Sequence, residues 1–203
     1  GCKHFLGSNF FLIGIIFNLG IISSALDYGA IGSIIGHELM HVFDNNGRKY
    51  DQNGREYPWW TNETLTKFNS RSECFIEQYK DFYKTEHHID IDGELDLNEI
   101  IADHGGLRGA FYAYKLLYPP GKDEIPRLPV FTNYTNEQLF FMSYANSLCE
   151  VQKRSSLEST LKTNGYASGR FRINGVLANL DQFSNAFKCN PNSKMASKKK
   201  CTI

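Results

Sequence analysis

Residues 28–48 read YGAIGSIIGHELMHVFDNNGR, and this stretch decides the fold of the chain. One helical face is apolar, with apolar residues three or four positions apart at Ile31, Ile34, Ile35, Leu39 and Val42. The spacing predicts a helix over 28–44. The Asn-Gly pairs at 46–47 and 53–54 predict turns directly after it.

The rest of the chain is also mainly helical in its sequence patterns. Apolar spacing, capping residues and the Pro-Pro-Gly stop at 119–121 predict helices over 61–85, 97–118, 136–156 and 181–189. Residues 170–176 are expected to form a short strand or an extended loop. The predicted fold class is therefore mainly α, an α+β domain with little sheet.

The residues His37-Glu38-Leu39-Met40-His41 form a candidate metal-binding motif. Histidines at i and i+4 lie on one helical face, one turn apart, so both imidazoles can bind one ion. Glu38 lies on the same turn and can take a proton from a metal-bound water. Three fixed positions recur by chance, but these polar groups are costly inside an apolar helix unless they bind something.

A third protein ligand is needed for a catalytic zinc, which also keeps one position open for water. Glu99 and Asp103 share a face of the helix predicted at 97–118. One carboxylate can bind the metal while the other accepts the free N–H of a ligand histidine. Such a pair alone is typical of a solvated helix face. Together with the histidine motif, it predicts a site for one zinc ion per chain.

Charge and cysteine usage narrow the class of protein. Lys plus Arg and Asp plus Glu both number 22, so no nucleic-acid surface is indicated. Five widely spaced cysteines without a Cys-x-x-Cys pair favour disulfides in an oxidising compartment. Asn62 and Asn133 each begin a glycosylation sequon. These features together predict an extracellular or cell-surface location reached through the secretory pathway.

Residues 1–26 are expected to be separate from the domain that follows, because residues 10–26 read FFLIGIIFNLGIISSAL. A spanning helix needs roughly 20 apolar residues, and this run is slightly shorter. It is compatible with a membrane anchor or signal-like segment, with a buried strand-rich stretch, or with residues foreign to the native protein. Burial is favoured over membrane insertion, and a membrane protein that happens to hold a zinc site is the weakest reading.

Several motifs resemble the neprilysin and endothelin-converting enzyme family of zinc metallopeptidases. Residues 36–48 resemble its zinc helix and the following turn, and residues 59–61 (WWT) match the next motif. Residues 99–106 (EIIADHGG) resemble the helix that carries the third zinc ligand. Residues 138–141 and 171–189 are similar to later motifs of the family. The resemblance extends from about residue 28 to residue 201.

This resemblance implies a thermolysin-like zincin catalytic lobe over 27–203, with glutamate as the third zinc ligand and the N-terminal lobe of the family absent. It implies a zinc-dependent metalloendopeptidase that hydrolyses short extracellular peptides. The implied roles are zinc binding by His37, His41 and Glu99, general base catalysis by Glu38, orientation of His37 by Asp103, and binding of the substrate carbonyl by Arg172.

Further roles follow from the same resemblance. Ile34 and Leu148 would lie at the pocket for the residue after the scissile bond, although simple core packing explains them nearly as well. Cys74 and Cys201 match a disulfide within the domain. The remaining matches, Cys149 and Cys189, would pair with the N-terminal lobe, whereas Cys2 has no counterpart.

The sequence departs from the family at the oxyanion site. Tyr166 stands where the family has a histidine, and Asn164 replaces the aspartate that supports it. A tyrosine donates a hydrogen bond but carries no positive charge near neutral pH. Loss of one oxyanion donor costs about 10²–10³ in rate. The alternative is therefore an impaired or truncated ectodomain that acts as a binding protein, but the retained Glu38 favours an enzyme.

Overall fold

The computed structural model describes residues 23–87, 96–118, 131–151, 153, 156, 159, 167–191, 193–196 and 198–203. Within these residues the chain is helical and contains no strand; a single isolated bridge joins Tyr50 to Glu56 after the first predicted turns. The mainly α fold class is confirmed.

The helices of the described residues are α1 (Ser24–Asp27), α2 (Ser33–Met40), α3 (Asn62–His87), α4 (Leu97–Leu117), α5 (Asn136–Ser147), α6 (Gly169–Asn179) and α7 (Asp181–Ala186). A π-helical turn, Tyr28–Gly32, joins α1 to α2, and a 3-10 turn, His41–Phe43, continues α2. Thus the helix predicted at 28–44 is confirmed within a helical run that begins at Ser24. The helices predicted at 61–85 and 97–118 are confirmed as α3 and α4.

Two predictions for the C-terminal half were wrong in extent or type. The helix predicted at 136–156 ends at Ser147, and the strand or loop predicted at 170–176 lies inside α6. The backbone N–H groups of Phe171 and Arg172 both bond to the Ser168 carbonyl, which starts the helix. Packing of Phe171 against Tyr83 fixes one face of α6, so tertiary contacts override the strand preference of its β-branched residues.

The helix α4 is the central element of the domain, since 11 of its 21 residues are buried. Its first turns contribute Leu97, Ile100 and Ile101 to a core cluster shared with α3 and α6. Its later turns contribute Leu107 and Phe111 to a second cluster shared with α1, α5 and α7. The α4 backbone is therefore held from both sides, which makes it a rigid support for the polar residues between the two clusters.

The helices α2 and α4 approach each other most closely at Gly36 and Gly106. A Cβ added at Gly36 would lie 2.6 Å from the Gly106 carbonyl oxygen, and a Cβ added at Gly106 would meet the backbone nitrogen of His37. These backbones touch because neither position carries a side chain. The contact sets the register of α2 on α4.

The disulfide Cys74–Cys201 ties α3 to the C-terminal segment, so this implied pairing is confirmed. Cys149 is exposed and Cys189 is partly buried. The pairing of these two with another lobe stays a prediction, and Cys2 lies outside the described residues.

Most of the apolar run at 10–26 also lies outside the described residues. Its last residues are described, and Ala25 and Leu26 in α1 are buried in the core. Among the described residues, no helix combines the length and the apolar character needed to cross a bilayer.

Substitution of Gly106 by Ala is expected to lower the free energy of unfolding by about 1–3 kcal/mol, because the new methyl group collides with backbone atoms of α2. At Gly109 on the same helix, an added methyl group would meet no atom from another part of the described residues within 4 Å, so Gly109→Ala is expected to stabilise the protein by up to about 1 kcal/mol. Urea unfolding of both variants measures this contrast. Equal effects of the two substitutions would contradict the close helix contact.

Candidate metal centre

Two histidines and a glutamate converge between α2 and α4. His37 lies in the last turn of α2, His41 begins the 3-10 turn, and Glu99 lies in the first turn of α4. The two Nε2 atoms are 3.1 Å apart. Oxygens of Glu99 lie 3.3 Å from His37 Nε2 and 3.7 Å from His41 Nε2. The structure thus brings together the three predicted ligands.

These separations fit one tetrahedral zinc ion. Zinc bonds to imidazole nitrogen and carboxylate oxygen are about 2.0–2.2 Å long, which puts any two tetrahedral ligands about 3.3 Å apart. The three donor atoms lie within 4.8 Å of one another. Among the described residues, they are the one group of three histidine, cysteine or acidic side chains that could hold a metal ion. The donor set of two imidazoles and one carboxylate is also one that zinc accepts in catalytic sites.

Each histidine has a carboxylate behind it. The Nδ1 atom of His37 lies 2.8 Å from Asp103 Oδ1, and Nδ1 of His41 lies 2.7 Å from Asp44 Oδ2. An ionised carboxylate only accepts hydrogen bonds, so each Nδ1 carries the proton and donates it. When a ring held in this way is neutral, its Nε2 lone pair is available to a metal ion.

Asp103 is predicted for this role from the sequence, whereas Asp44 is not. Asp44 is buried, and its Oδ1 accepts hydrogen bonds from the backbone N–H groups of Asn46 and Gly47, each at 2.7 Å. The predicted turn after α2 therefore fixes the carboxylate that holds His41. The sequence signal that could have identified Asp44 is its position three residues after His41, a spacing at which helical side chains can meet.

Arg172 reaches the same site from α6. Its Nε and Nη2 donate to the two oxygens of Asp103, both at 2.7 Å, and its Nη2 lies 3.9 Å from Glu99 Oε2. Burial disfavours the ionised form of Asp103, but hydrogen bonds from Arg172 and His37 outweigh it and lower the pKa of this carboxyl. Burial likewise opposes the charge of Arg172, yet the Asp103 partner raises its pKa.

The pKa of His37 is raised to about 9 in the absence of metal. Burial by itself would lower this pKa, but hydrogen bonds to Asp103 and Glu99 favour the protonated ring more strongly. A folded-state pKa above the usual 6.5 stabilises the metal-free fold below about pH 6.5, and this contribution is lost as pH rises through 9.

A cavity of about 310 Å³ opens beside the metal-binding group. Seven residues singled out in the sequence line it: Ile34, His37, Glu38, Glu99, Asp103, Leu148 and Arg172. The side chain of Glu38 is exposed, in contrast to the buried Asp103. Three lining residues, Ser33, Tyr144 and Ser147, were not identified from the sequence. Tyr166 lies outside the described residues, so its place relative to the cavity stays a prediction.

Comparison with known proteins places this geometry in a family. The sequence model of peptidase family M13 matches residues 12–203, which is most of the chain. The chain belongs to peptidase family M13. The match begins within the apolar run at 10–26, upstream of the motifs at 28–48.

Curated M13 relatives are much longer than this chain. It is 42% identical over 179 residues to Neprilysin-1 of Caenorhabditis elegans, covering 88% of this chain and 24% of that protein. It is 38% identical over 181 residues to human endothelin-converting enzyme 1, covering 88% of this chain and 23% of that protein. The chain thus spans about a quarter of the length of these relatives.

A solved structure has the same fold over most of the described chain. The zinc metalloprotease Zmp1 of Mycobacterium tuberculosis, in complex with an inhibitor, superimposes with a TM-score of 0.79 at 30% sequence identity. The superposition covers 89% of this chain and 28% of that one. This M13 comparison confirms the zincin-like fold expected from the sequence.

Zinc affinity is expected to rise with pH, since zinc must displace the proton held by His37. With a pKa of about 9 for this ring, the affinity should increase about tenfold per pH unit from pH 7 to pH 9 and then level off. Competition with a chelator of known affinity measures it. Asp103→Asn removes one partner of the protonated ring, so the plateau should begin at lower pH. A constant affinity between pH 7 and pH 9 would contradict the raised pKa.

Proposed function

We propose that the protein is a zinc-dependent metalloendopeptidase that hydrolyses peptide bonds in short extracellular peptides, with one zinc ion per chain. The observation that carries the proposal is the opening of His37, Glu99 and Glu38 onto one cavity, with His41 completing the ligand set. Membership of a peptidase family supports the same activity. The non-catalytic alternative is not favoured, because the ligands and Glu38 are all retained.

Zinc bound by His37, His41 and Glu99 would polarise the scissile carbonyl and lower the pKa of a water molecule. Glu38 would supply the base, since its exposed side chain lines the cavity with His37 and Glu99 and its carboxylate can accept a proton from such a water. Asp103 and Asp44 hold the two imidazoles in one orientation and one tautomer, so the ligand geometry is set before substrate binds.

Arg172 binds and orients the substrate carbonyl. Asp103 accepts hydrogen bonds from the Nε–H and from one Nη2–H of the guanidinium. Three of the five N–H donors of Arg172 therefore remain for other partners. The side chain is 18% exposed and lines the cavity, so these donors can reach a peptide carbonyl there. Tyr166 donates a further hydrogen bond to the oxyanion, in place of the family histidine.

The natural protein contains a further lobe that packs on this one. The curated relatives are about four times longer than this chain. An apolar face of α2 and of the 3-10 turn that continues it is exposed, with exposed fractions of 54% for Ile35, 65% for Leu39 and 51% for Val42. Cys149 and Cys189 pair with cysteines of that lobe.

The protein works outside the cell or at the cell surface, where a membrane anchor holds it or its secretion releases it. The Cys74–Cys201 disulfide is typical of an oxidising compartment. The side chains of Asn62 and Asn133 are exposed, as N-glycosylation requires.

Replacement of Glu38 by Gln is expected to reduce cleavage of a mixed peptide library at least about 10²-fold, because the amide cannot accept the proton from water. The zinc content should stay unchanged, since Glu38 is not a ligand. Glu73→Gln, at an exposed position on α3 away from the cavity, is the matched control and should cleave like the unmodified protein. Chelator-sensitive cleavage that survives Glu38→Gln would refute the assigned base.

A further inference from the structure

Three residues that carry hydroxyl groups line the cavity beside the metal-binding group. Ser33 lies in the first turn of α2, and Tyr144 and Ser147 lie in the last turn of α5. All three residues line the cavity together with the apolar side chains of Ile34 and Leu148. The lining therefore combines apolar side chains with hydroxyl groups.

Each of these hydroxyl protons is already committed to a backbone carbonyl. Ser33 Oγ donates to the carbonyls of Gly29 and Ala30 at 2.9 and 2.8 Å. Ser147 Oγ donates to the Tyr144 carbonyl at 2.8 Å. The Tyr144 hydroxyl donates to the Arg172 carbonyl at 3.3 Å.

A hydroxyl group has one proton and two acceptor lone pairs. Once its proton is committed, it can offer only acceptor capacity to a ligand. The three oxygens thus add hydrogen-bond acceptors to the cavity. Charged residues line it as well: Arg172, which is paired with Asp103, and the acidic residues Glu38 and Glu99.

We propose that this cavity selects, for the residue after the scissile bond, a side chain that donates a hydrogen bond, such as threonine, serine, asparagine or glutamine. This inference rests on the proposed function, because it takes the cavity as the subsite next to the metal. Threonine suits this lining, because it offers a methyl group for contact with Ile34 and Leu148 and a hydroxyl that can donate to Ser147 or Ser33. An isosteric valine fills the same space and leaves the acceptors without a donor.

Two small ligands test the selectivity without any hydrolysis. Each carries a thiol, which binds zinc strongly and fixes the register, joined through an acetyl group to threonine amide or to valine amide. Their dissociation constants for the zinc-loaded full chain are measured by calorimetry. The threonine ligand is expected to bind about 3- to 10-fold more tightly, as one additional net hydrogen bond implies.

Variants identify the groups responsible. Ser147→Ala and Ser33→Ala should each reduce the threonine preference, and the double variant should bring it near 1. Ser147→Thr keeps a hydroxyl and should keep the preference. Ser184→Ala removes a serine that also donates to a carbonyl four residues earlier, but on α7 away from the cavity, and should change nothing. Zinc content and circular dichroism check that each variant is folded.

Equal or tighter binding of the valine ligand would overturn the inference, and so would a threonine preference that survives in the double variant. Failure of both thiols to bind would count against it as well. Peptide cleavage tests the proposed function separately. If the protein prefers the threonine ligand but cleaves no peptide, the selectivity of the cavity is supported and the peptidase assignment is refuted.

Discussion

The backbone contact between Gly36 and Gly106 determines how the metal centre is assembled. It joins α2 and α4 at one point, next to His37 on one helix and three residues after Asp103 on the other. A slip of one residue would rotate the side chains of a helix by about 100° and separate the histidines from Glu99. The position of every ligand thus depends on two residues that take no part in the chemistry.

The second constraint is the pairing of charges around Asp103. This carboxylate is 4% exposed, and it is shared between the imidazole of His37 and the guanidinium of Arg172. Loss of one partner from such a buried pair costs about 3–5 kcal/mol, because a charge is left uncompensated. Since the partners come from α2, α4 and α6, one interaction connects three helices, orients the imidazole of His37 and positions Arg172 at the cavity.

Local patterns were sufficient to predict α2, α3 and α4 and the two candidate pairs, His37 with His41 and Glu99 with Asp103, because residues four positions apart on a helix share a face. The choice of Glu99 over Asp103 as the metal ligand came from the family resemblance. Predictions were wrong where contacts between distant segments decide the structure. Packing of Phe171 makes α6 helical despite its β-branched residues. No sequence pattern predicts that Ser33 and Ser147 line the same cavity, because the two residues lie more than 100 positions apart on different helices.

The central claim is that one zinc ion binds His37, His41 and Glu99, and anomalous diffraction at the zinc edge from crystals of the zinc-loaded protein tests it directly. One strong peak per chain is expected, within about 2.3 Å of both Nε2 atoms and of a Glu99 oxygen. A principal peak at other side chains, at the Nδ1 atoms, or no bound zinc at all would contradict it.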